Sequence, residues 1–200
     1  MSYRGKRALD LLLAVPAYVL TAPIQLGGAV AVRAVMGAPV FFCQRRPGLH
    51  GKPFTMVKLR TMRPVDPTSG RVDDASRLTP LGCFLRASSI DELPTLLNVI
   101  RGDMSLVGPR PLLMEYLHEY TPEQARRHDV RPGLTGLAQV KGRNSLNWSE
   151  RFALDLDYVE NHSLRRDLQI LAATVLRVIE RQGITAPGAA TMPVYRGPRR

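Results

Sequence analysis

Residues 11–32 read LLLAVPAYVLTAPIQLGGAVAV, and none of these side chains carries a charge. As a straight helix the stretch would be about 33 Å long, which is close to the hydrocarbon thickness of a bilayer. The first hypothesis is therefore a helix that spans a membrane once. A cleaved signal peptide is disfavoured, because Asp10 interrupts the early apolar stretch and Pro23 directly follows Thr21 and Ala22.

Two features of the same stretch favour a second topology. Pro16 and Pro23 lie inside it, and a proline in a helix interior removes a backbone hydrogen bond and bends the axis. Positively charged residues flank both ends, although such residues prefer the cytoplasmic side of a membrane. A helix broken near Pro23, with arms over residues 11–22 and 24–32, would enter and leave on the same face. Thr21 could donate a hydrogen bond to the preceding turn at such a break.

The rest of the chain predicts one domain of ordinary size. The 200 residues carry a formal net charge of +11, which suits an anionic partner such as phospholipid, nucleic acid or a phosphorylated substrate. Cys43 and Cys83 stand alone, which is typical of a reducing compartment and argues against a zinc site. We expect a re-entrant membrane hairpin over residues 1–33, a cytosolic domain over residues 34–185 and a C-terminal tail over residues 186–200.

The pattern outside the membrane segment indicates an α+β domain that is mainly helical. Residues 39–44 and 54–60 are predicted as short strands of a hairpin, and residues 80–87 and 89–101 as helices. Further amphipathic helices should begin behind capping patterns at Thr121 and Asn147. A final helix, ending at Gly183, has an apolar stripe that we expect to pack on the core or on a membrane surface. The stripe consists of Leu164, Leu168, Leu171, Val175 and Ile179.

Residues 88–94, SSIDELP, put two adjacent carboxylates, Asp91 and Glu92, into this basic chain. One interpretation is structural, because Ser89 and Glu92 fit the Ser-x-x-Glu capping box at a helix N-terminus. The other is chemical. An aspartate is ionised at pH 7 and can attack phosphorus without a general base, provided that cations neutralise the phosphate charge. Candidate cations are Lys58, Arg60, Arg63, Arg86, Arg101 and Arg110, the last in a rigid GPRP turn at residues 108–111.

The stretch SSIDELPTLLNVIRGDMSLVGPRP at residues 88–111 resembles the signature of bacterial sugar transferases, the small monotopic phosphoglycosyl transferases. The likeness extends to KLRTM at residues 58–62, RPGLTGLAQV at residues 131–140 and GRNS at residues 142–145, and it covers residues 4–185. Four ordered motifs of this length are highly specific. Many relatives carry extra N-terminal membrane domains, so we expect this chain to correspond to the minimal catalytic form. It departs from the usual pattern at Ala22, Cys83, Lys141 and Asp157.

The resemblance implies a reaction. Such enzymes move a sugar 1-phosphate from a UDP-sugar to a polyprenyl phosphate, usually undecaprenyl phosphate, and release UMP. Asp91 would be the nucleophile that forms a covalent phospho-aspartyl sugar. Glu92 would help to place Mg²⁺ or orient the attack, so that both carboxylates are expected metal ligands. The reaction is the first membrane step of glycan or glycoconjugate assembly, including polysaccharide biosynthesis, and takes place at the cytoplasmic face of the bacterial inner membrane.

The resemblance also assigns roles outside the acidic pair. It implies phosphate binding by Arg86 and Arg110, and it places Lys58 and Arg60 in a matching basic strand as further substrate-binding candidates. It implies that the membrane helix is re-entrant, with its break at Pro23. Residues 34–185 would then be the catalytic sugar-phosphate transferase domain.

The expected partners are a UDP-sugar, a polyprenyl phosphate and inner-membrane lipids, with no nucleic acid; a homo-oligomer is compatible with the sequence. Two rival functions remain open at this point. One is a membrane-tethered protein that binds anionic lipid or nucleic acid through its basic surface, without chemistry. The other is a transferase that moves only the sugar and releases UDP.

Overall fold

The protein is a mainly helical α+β structure with two small two-stranded sheets, in agreement with the predicted fold class. The computed structural model describes residues 3–70, 72–142 and 146–180, together with Tyr195 and Gly197. Most of the GRNS motif, the predicted helix end at Gly183 and the rest of the predicted tail lie outside the described residues.

One long helix, α1 (Lys6–Met36), contains both prolines of the apolar stretch. Helical structure continues through Pro23, so the two predicted arms are not separated by a break in the helix. Because Pro23 has no N–H, one carbonyl in the preceding turn loses its usual donor. The Thr21 hydroxyl donates to the Ala17 carbonyl over 2.6 Å, which confirms its predicted bond to the preceding turn. A change of direction at Pro23 within a membrane stays a prediction.

Most of α1 is not covered by the rest of the protein. Among the described residues it is the helix that is long and apolar enough to cross a membrane, with a mean hydropathy of 1.6 over 18 residues and 11% of that window buried. This much uncovered apolar surface requires another environment, and a bilayer supplies one. The exposed apolar side chains of α1 include Leu12, Val19, Leu20, Ile24, Leu26 and Val30.

The N-terminal end of α1 is tied to the domain by a buried polar network. Asp10 accepts hydrogen bonds from the Ser105 hydroxyl and the Leu106 N–H, both over 2.9 Å. Lys6 forms an ion pair with the buried carboxylate of Asp167 at 2.6 Å. Buried carboxylates are costly unless they are bonded in this way. These contacts therefore fix the position of the helix start on the domain.

The C-terminal end of α1 is tied to the same domain. Val32 is fully buried in an apolar cluster with Leu59 and Leu85. The Arg60 guanidinium caps the helix end, where carbonyls have no partner inside the helix. It donates to the carbonyls of Met36, Gly37 and Ala38 over 2.5, 2.7 and 3.1 Å.

The predicted hairpin is confirmed. β1 (Phe41–Pro47) pairs antiparallel with β2 (Pro53–Leu59), and a short turn at Leu49–Gly51 joins them. A second sheet pairs β3 (Ser105–Val107) in parallel with β4 (Gly133–Thr135).

Helices make up most of the remaining described structure. The helix over residues 80–87 and the capping boxes behind Thr121 and Asn147 are confirmed. Short 3₁₀ segments lie at Pro67–Ser69, Ile90–Thr95, Met114–His118 and Arg126–His128. The α-helices that follow α1 are α2 (Asp74–Arg77), α3 (Pro80–Ala87), α4 (Leu96–Arg101), α5 (Pro122–Ala125), α6 (Leu137–Lys141), α7 (Trp148–Asn161) and α8 (Leu164–Glu180).

The segment predicted as one helix over residues 89–101 is divided. Its first part, Ile90–Thr95, is a 3₁₀ segment, and α4 follows it. Pro94 removes a backbone donor, and the Thr95 hydroxyl donates to the Val57 carbonyl of β2 over 2.8 Å. The acidic pair therefore lies in a tight turn held against the hairpin rather than on a regular helix.

The apolar stripe of α8 is divided between an exposed part and the core. Leu164, Leu168 and Val175 are about half exposed, whereas Leu171 packs against the core cluster. The exposed part favours a membrane surface as its environment. The largest core cluster lies between α1, β2, α4, β3, α6, α7 and α8 and consists of Ala14, Met56, Leu96, Val99, Met104, Leu106, Val107, Val130, Leu137, Tyr158 and Ile170.

Replacing Arg60 by Met should lower the free energy of unfolding by about 2–4 kcal/mol, because three carbonyls at the end of α1 lose a charged donor. The matched control is Arg63→Met, which removes the same charge at an exposed position. Denaturant or thermal unfolding of the detergent-solubilised protein measures both. Equal stability of the two variants would contradict the capping role.

Candidate active site

Asp91 and Glu92, called the acidic pair below, occupy the first turn of the Ile90–Thr95 segment. Ser89 precedes them with a left-handed backbone, φ 56°, and its side chain makes no capping hydrogen bond. The capping-box interpretation of this pair is therefore wrong. A non-glycine residue in this conformation is strained, and such strain concentrates at functional sites. Both carboxylates are left for other contacts.

Glu92 is the partner of two cations. Its Oε1 lies 3.1 Å from Lys58 Nζ and 2.5 Å from Arg110 Nη2. Burial by itself would raise the pKa of Glu92, but Arg110 and then Lys58 outweigh it and hold that pKa well below its usual range. The same contact raises the pKa of Arg110. Glu92 therefore stays ionised and holds two cations in place.

Asp91 differs from its neighbour. It is 7% exposed, and no group in the described part of the chain donates a hydrogen bond to its carboxylate or forms an ion pair with it. Burial, with Glu92 as the second cause, raises the pKa of Asp91 to about 6, while Lys58, Arg110 and Arg86 act in the opposite direction. An unbonded carboxylate among cations is the arrangement that a nucleophile for phosphorus requires.

Arg86 is held beside the acidic pair by α3. Its Nε donates to the Thr61 hydroxyl over 3.0 Å. The helix can approach so closely because Gly82 has no side chain: a Cβ there would lie 1.9 Å from the Thr61 carbonyl oxygen. The close packing of α3 on the end of β2 thus aims a guanidinium at the site.

The predicted GPRP turn carries Arg110, and hydrogen bonds to its backbone hold it in place. The Gly108 N–H donates to the Thr135 carbonyl over 2.9 Å. The Arg110 carbonyl accepts a hydrogen bond from Arg127 Nη2 over 2.9 Å. Arg127 is itself paired with Asp155 at 2.6 Å, and both side chains are buried. A buried ion pair therefore sets the backbone position from which Arg110 reaches Glu92.

The membrane helix packs directly on the acidic turn. A Cβ at Gly28 of α1 would lie 2.8 Å from Leu59 Cδ1 and 3.5 Å from Ile90 Cγ2, so glycine permits the contact. Ile90 immediately precedes Asp91. The site consequently lies next to the helix that has the exposed apolar surface.

One predicted substrate-binding residue lies elsewhere: the Arg60 guanidinium is directed to the end of α1 and not to the acidic pair. Pro23, predicted as the break of the membrane helix, lies inside α1, and its role as a break stays a prediction. The predicted residues that the structure brings together are Asp91, Glu92, Lys58, Arg86 and Arg110.

The local sequence pattern did not predict the further cations that lie near Arg110. Arg46 of β1 approaches the Pro111 carbonyl, and burial, followed by Arg110, lowers the pKa of Arg46 to about 10. Strand alternation was an available signal for Arg46, since it faces the same side of the hairpin as Lys58. For Arg127 and the buried Arg151 no local signal exists, because folding alone brings them near Arg110.

The acidic pair also offers oxygen ligands for a hard cation. Mg²⁺ commonly takes one or two carboxylates together with substrate phosphates. The Asp91 carboxylate is unbonded, and Glu92 Oε2 has only a 3.5 Å contact with Arg110. Within the described ranges there is no group of three or more His, Cys, Asp or Glu residues that could hold a metal. The pair therefore fits an ion that is held largely by its substrate.

Comparison with known proteins places these features in a family. The family model for bacterial sugar transferases matches residues 1–181. The chain is 50% identical over 193 residues to the uncharacterized sugar transferase EpsL of Bacillus subtilis, covering 96% of each. It is 48% identical over 183 residues to the UDP-glucose:undecaprenyl-phosphate glucose-1-phosphate transferase of Caulobacter vibrioides, covering 85% of this chain and 68% of the relative. It is 34% identical over 196 residues to the undecaprenyl-phosphate galactose phosphotransferase of Salmonella typhimurium, covering 89% of this chain and 41% of the relative.

Fold and site together define an enzyme in which buried Asp91, half-buried Glu92 and the surrounding cations lie beside an apolar membrane helix. The chain belongs to the bacterial sugar transferase family, which confirms the resemblance carried by residues 88–111. It is therefore a transferase.

The Asp91 carboxyl should titrate with a pKa of about 6 when substrate and divalent cations are absent. Below this pH the carboxyl is protonated, so any reaction that uses the anion weakens as the pH falls through 6. Arg86→Gln removes a cation that lowers this pKa and should move the titration to higher pH. Carbon-13 NMR of labelled aspartates measures it, with exposed Arg101→Gln as the control. A wild-type midpoint of about 4, the ordinary value, would contradict the effect of burial.

Proposed function

We propose that the protein transfers a sugar 1-phosphate from a UDP-sugar to a polyprenyl phosphate such as undecaprenyl phosphate and releases UMP. The observation that carries the proposal is Asp91, a buried and unbonded carboxylate faced by Lys58, Arg86 and Arg110. The names of the Caulobacter and Salmonella relatives, which refer to undecaprenyl phosphate and to glucose 1-phosphate or galactose, support the same class of donor and acceptor.

The reaction has two displacements at one phosphorus atom. First, an Asp91 oxygen bonds to the sugar-bearing phosphorus, the bond from that phosphorus to the bridging oxygen breaks, and the electron pair leaves with UMP. Next, a phosphate oxygen of the polyprenyl phosphate bonds to the same phosphorus, and the bond to Asp91 breaks to restore the carboxylate. Both nucleophiles are anions, so neither step needs a general base.

The surrounding charges explain how an anion can approach another anion. Lys58 and Arg110 are held in place by Glu92, and Arg86 is held by Thr61. They offset the negative charge of the diphosphate, which is the main barrier to attack by a carboxylate. When bound, Mg²⁺ supplies further positive charge there, and Asp91 with Glu92 Oε2 would hold it.

The attachment of α1 supports a re-entrant topology. Asp10 ties one end of α1 to the domain and Arg60 caps the other end. A domain on one side of a bilayer cannot hold both ends of a helix that passes to the opposite side. We therefore infer that α1 bends near Pro23 and returns, with both positively charged flanks at the cytoplasmic face of the inner membrane.

The uncovered face of α8 supports a position on the membrane surface. Leu164, Leu168 and Val175 are exposed on a helix that also carries arginines, a combination that suits the interface of an anionic bilayer.

Asp91→Asn should reduce UMP release by about 10³-fold or more, because the nucleophile is lost. Incubation of the wild-type protein with a UDP-sugar alone should leave a labelled sugar phosphate on the protein, and mass spectrometry of peptides should assign it to Asp91. Asp129→Asn removes an exposed carboxylate and is the control for charge. Turnover of Asp91→Asn near the wild-type rate would contradict the covalent route, and release of UDP would support transfer of the sugar alone.

A re-entrant α1 should leave both of its ends reactive from the cytoplasmic side. Arg4→Cys in a background without Cys43 reports one end, and native Cys43 just after α1 reports the other. Exposed Cys83 of the domain marks the cytoplasmic side. In intact spheroplasts an impermeant maleimide should label neither Arg4→Cys nor Cys43 nor Cys83. After lysis it should label each of these cysteines. Labelling of only the Arg4→Cys position in spheroplasts would indicate a simple span.

A further inference from the structure

The hairpin presents a row of side chains toward the active site. In the antiparallel register Phe42 lies opposite Lys58, Gln44 opposite Met56 and Arg46 opposite Phe54. Directly opposed residues project to the same face, and alternate residues of a strand share that face. Because Lys58 of this face contacts Glu92, the row on β1 lies on the active-site side of the hairpin. Of the residues in this row on β1, Arg46 lies farthest along the strand from α1.

Arg46 is a guanidinium with unused donors. Nη2 donates to Gln44 Oε1 over 2.6 Å, and Nη1 lies 3.4 Å from the Pro111 carbonyl oxygen. Nε is buried and has no partner in the described structure. A guanidinium has five N–H donors in a fork that matches phosphate oxygens. The Arg46 guanidinium is therefore anchored by Gln44 and Pro111, and part of its hydrogen-bonding capacity is not used by the described residues.

The charges around Arg46 are not balanced by the protein. Arg110 is the neighbouring cation that acts on Arg46, and among the described residues no carboxylate forms an ion pair with Arg46. Glu92 is already shared by Lys58 and Arg110. Arg46 and Arg110 are thus neighbouring guanidinium groups of which only Arg110 has a carboxylate partner, and an anion bound between them would complete the site.

We propose that Arg46 binds the nucleoside-bearing phosphate of the donor, the phosphate that leaves with UMP. The assignment rests on the proposed function. It follows from the order in which Asp91, Arg110 and Arg46 are arranged along the site. Asp91 must contact the sugar-bearing phosphorus, Arg110 reaches the adjacent Glu92, and Arg46 lies beyond Arg110. The phosphate beyond the reacting one is the leaving group, and it gains a negative charge when the bridging bond breaks. A cation at that point stabilises the departing anion.

The first test measures binding without turnover, with UDP as the probe. Arg46→Gln is compared with Arg45→Gln, which removes the same charge from the opposite face of the same strand. Arg46→Gln should weaken UDP binding to the full-length protein in nanodiscs by about 10- to 100-fold, the loss of a charge-assisted fork, while Arg45→Gln should bind as the wild type does. The donor KM should rise in parallel, and the KM for the polyprenyl phosphate should not change. Equal UDP affinities of the two variants would overturn the proposal.

A second pair of variants tests the same contact without removing the guanidinium. Gln44→Glu keeps the shape of the residue that holds Arg46 and gives Arg46 an internal counter-ion. It should weaken UDP binding by about tenfold or more without lowering the melting temperature of the free protein. Thr55→Glu adds the same charge on the exposed opposite face and should have little effect. If Arg46→Gln lowers the melting temperature, the comparison of Gln44→Glu with Thr55→Glu is the test of the proposal. Equal UDP affinities of these two variants would then overturn it.

Failure of this inference can be told apart from failure of the proposed function. A wild-type protein that neither binds UDP nor releases UMP would remove the basis of both. A wild-type protein that does both, with Arg46→Gln equal to Arg45→Gln, would leave the proposed reaction in place and exclude Arg46 from donor binding.

Discussion

The constraint on which this site depends is that Asp91 must be ionised among cations and yet not bonded to any of them. An isolated buried carboxylate would take up a proton, whereas a carboxylate in a salt bridge would be held too firmly to attack. The adjacent Glu92 resolves the conflict by accepting Lys58 and Arg110 as its own partners. These cations act on Asp91 through space, so its pKa rises only to about 6. Two neighbouring carboxylates thus take different roles because their contacts differ.

The membrane helix is part of the same arrangement and not a separate tether. Its two ends are bonded to the domain, and Gly28 near its C-terminal end packs against Ile90, the residue before Asp91. Any shift of α1 relative to the hairpin would therefore move the turn that carries the acidic pair. This coupling also explains why Arg60, although it lies in a basic motif, donates its hydrogen bonds to carbonyls at the end of α1.

Local patterns predicted a large share of the structure. The hairpin, α3 and the capped starts of α5 and α7 follow from alternation, proline position and capping residues, all of which act over a few neighbours. The prediction of one helix over residues 89–101 was wrong. Hydrogen bonds from this segment to β2, including that of Thr95 to Val57, outweigh its intrinsic helical preference.

The sequence by itself determined the apolar segment, the acidic pair and, through four ordered motifs, the family. Each of these features is a contiguous stretch of the chain, and its chemistry is inherent in the residue types. Only the tertiary structure decided which cation serves which anion. Arg60 lies two residues after Lys58 but points to α1, whereas Arg46, far from the pair in sequence, lies beside Arg110. The strength of an electrostatic interaction depends on the distance between the two charges. For residues far apart in the chain, that distance is set by the fold and not by the local sequence.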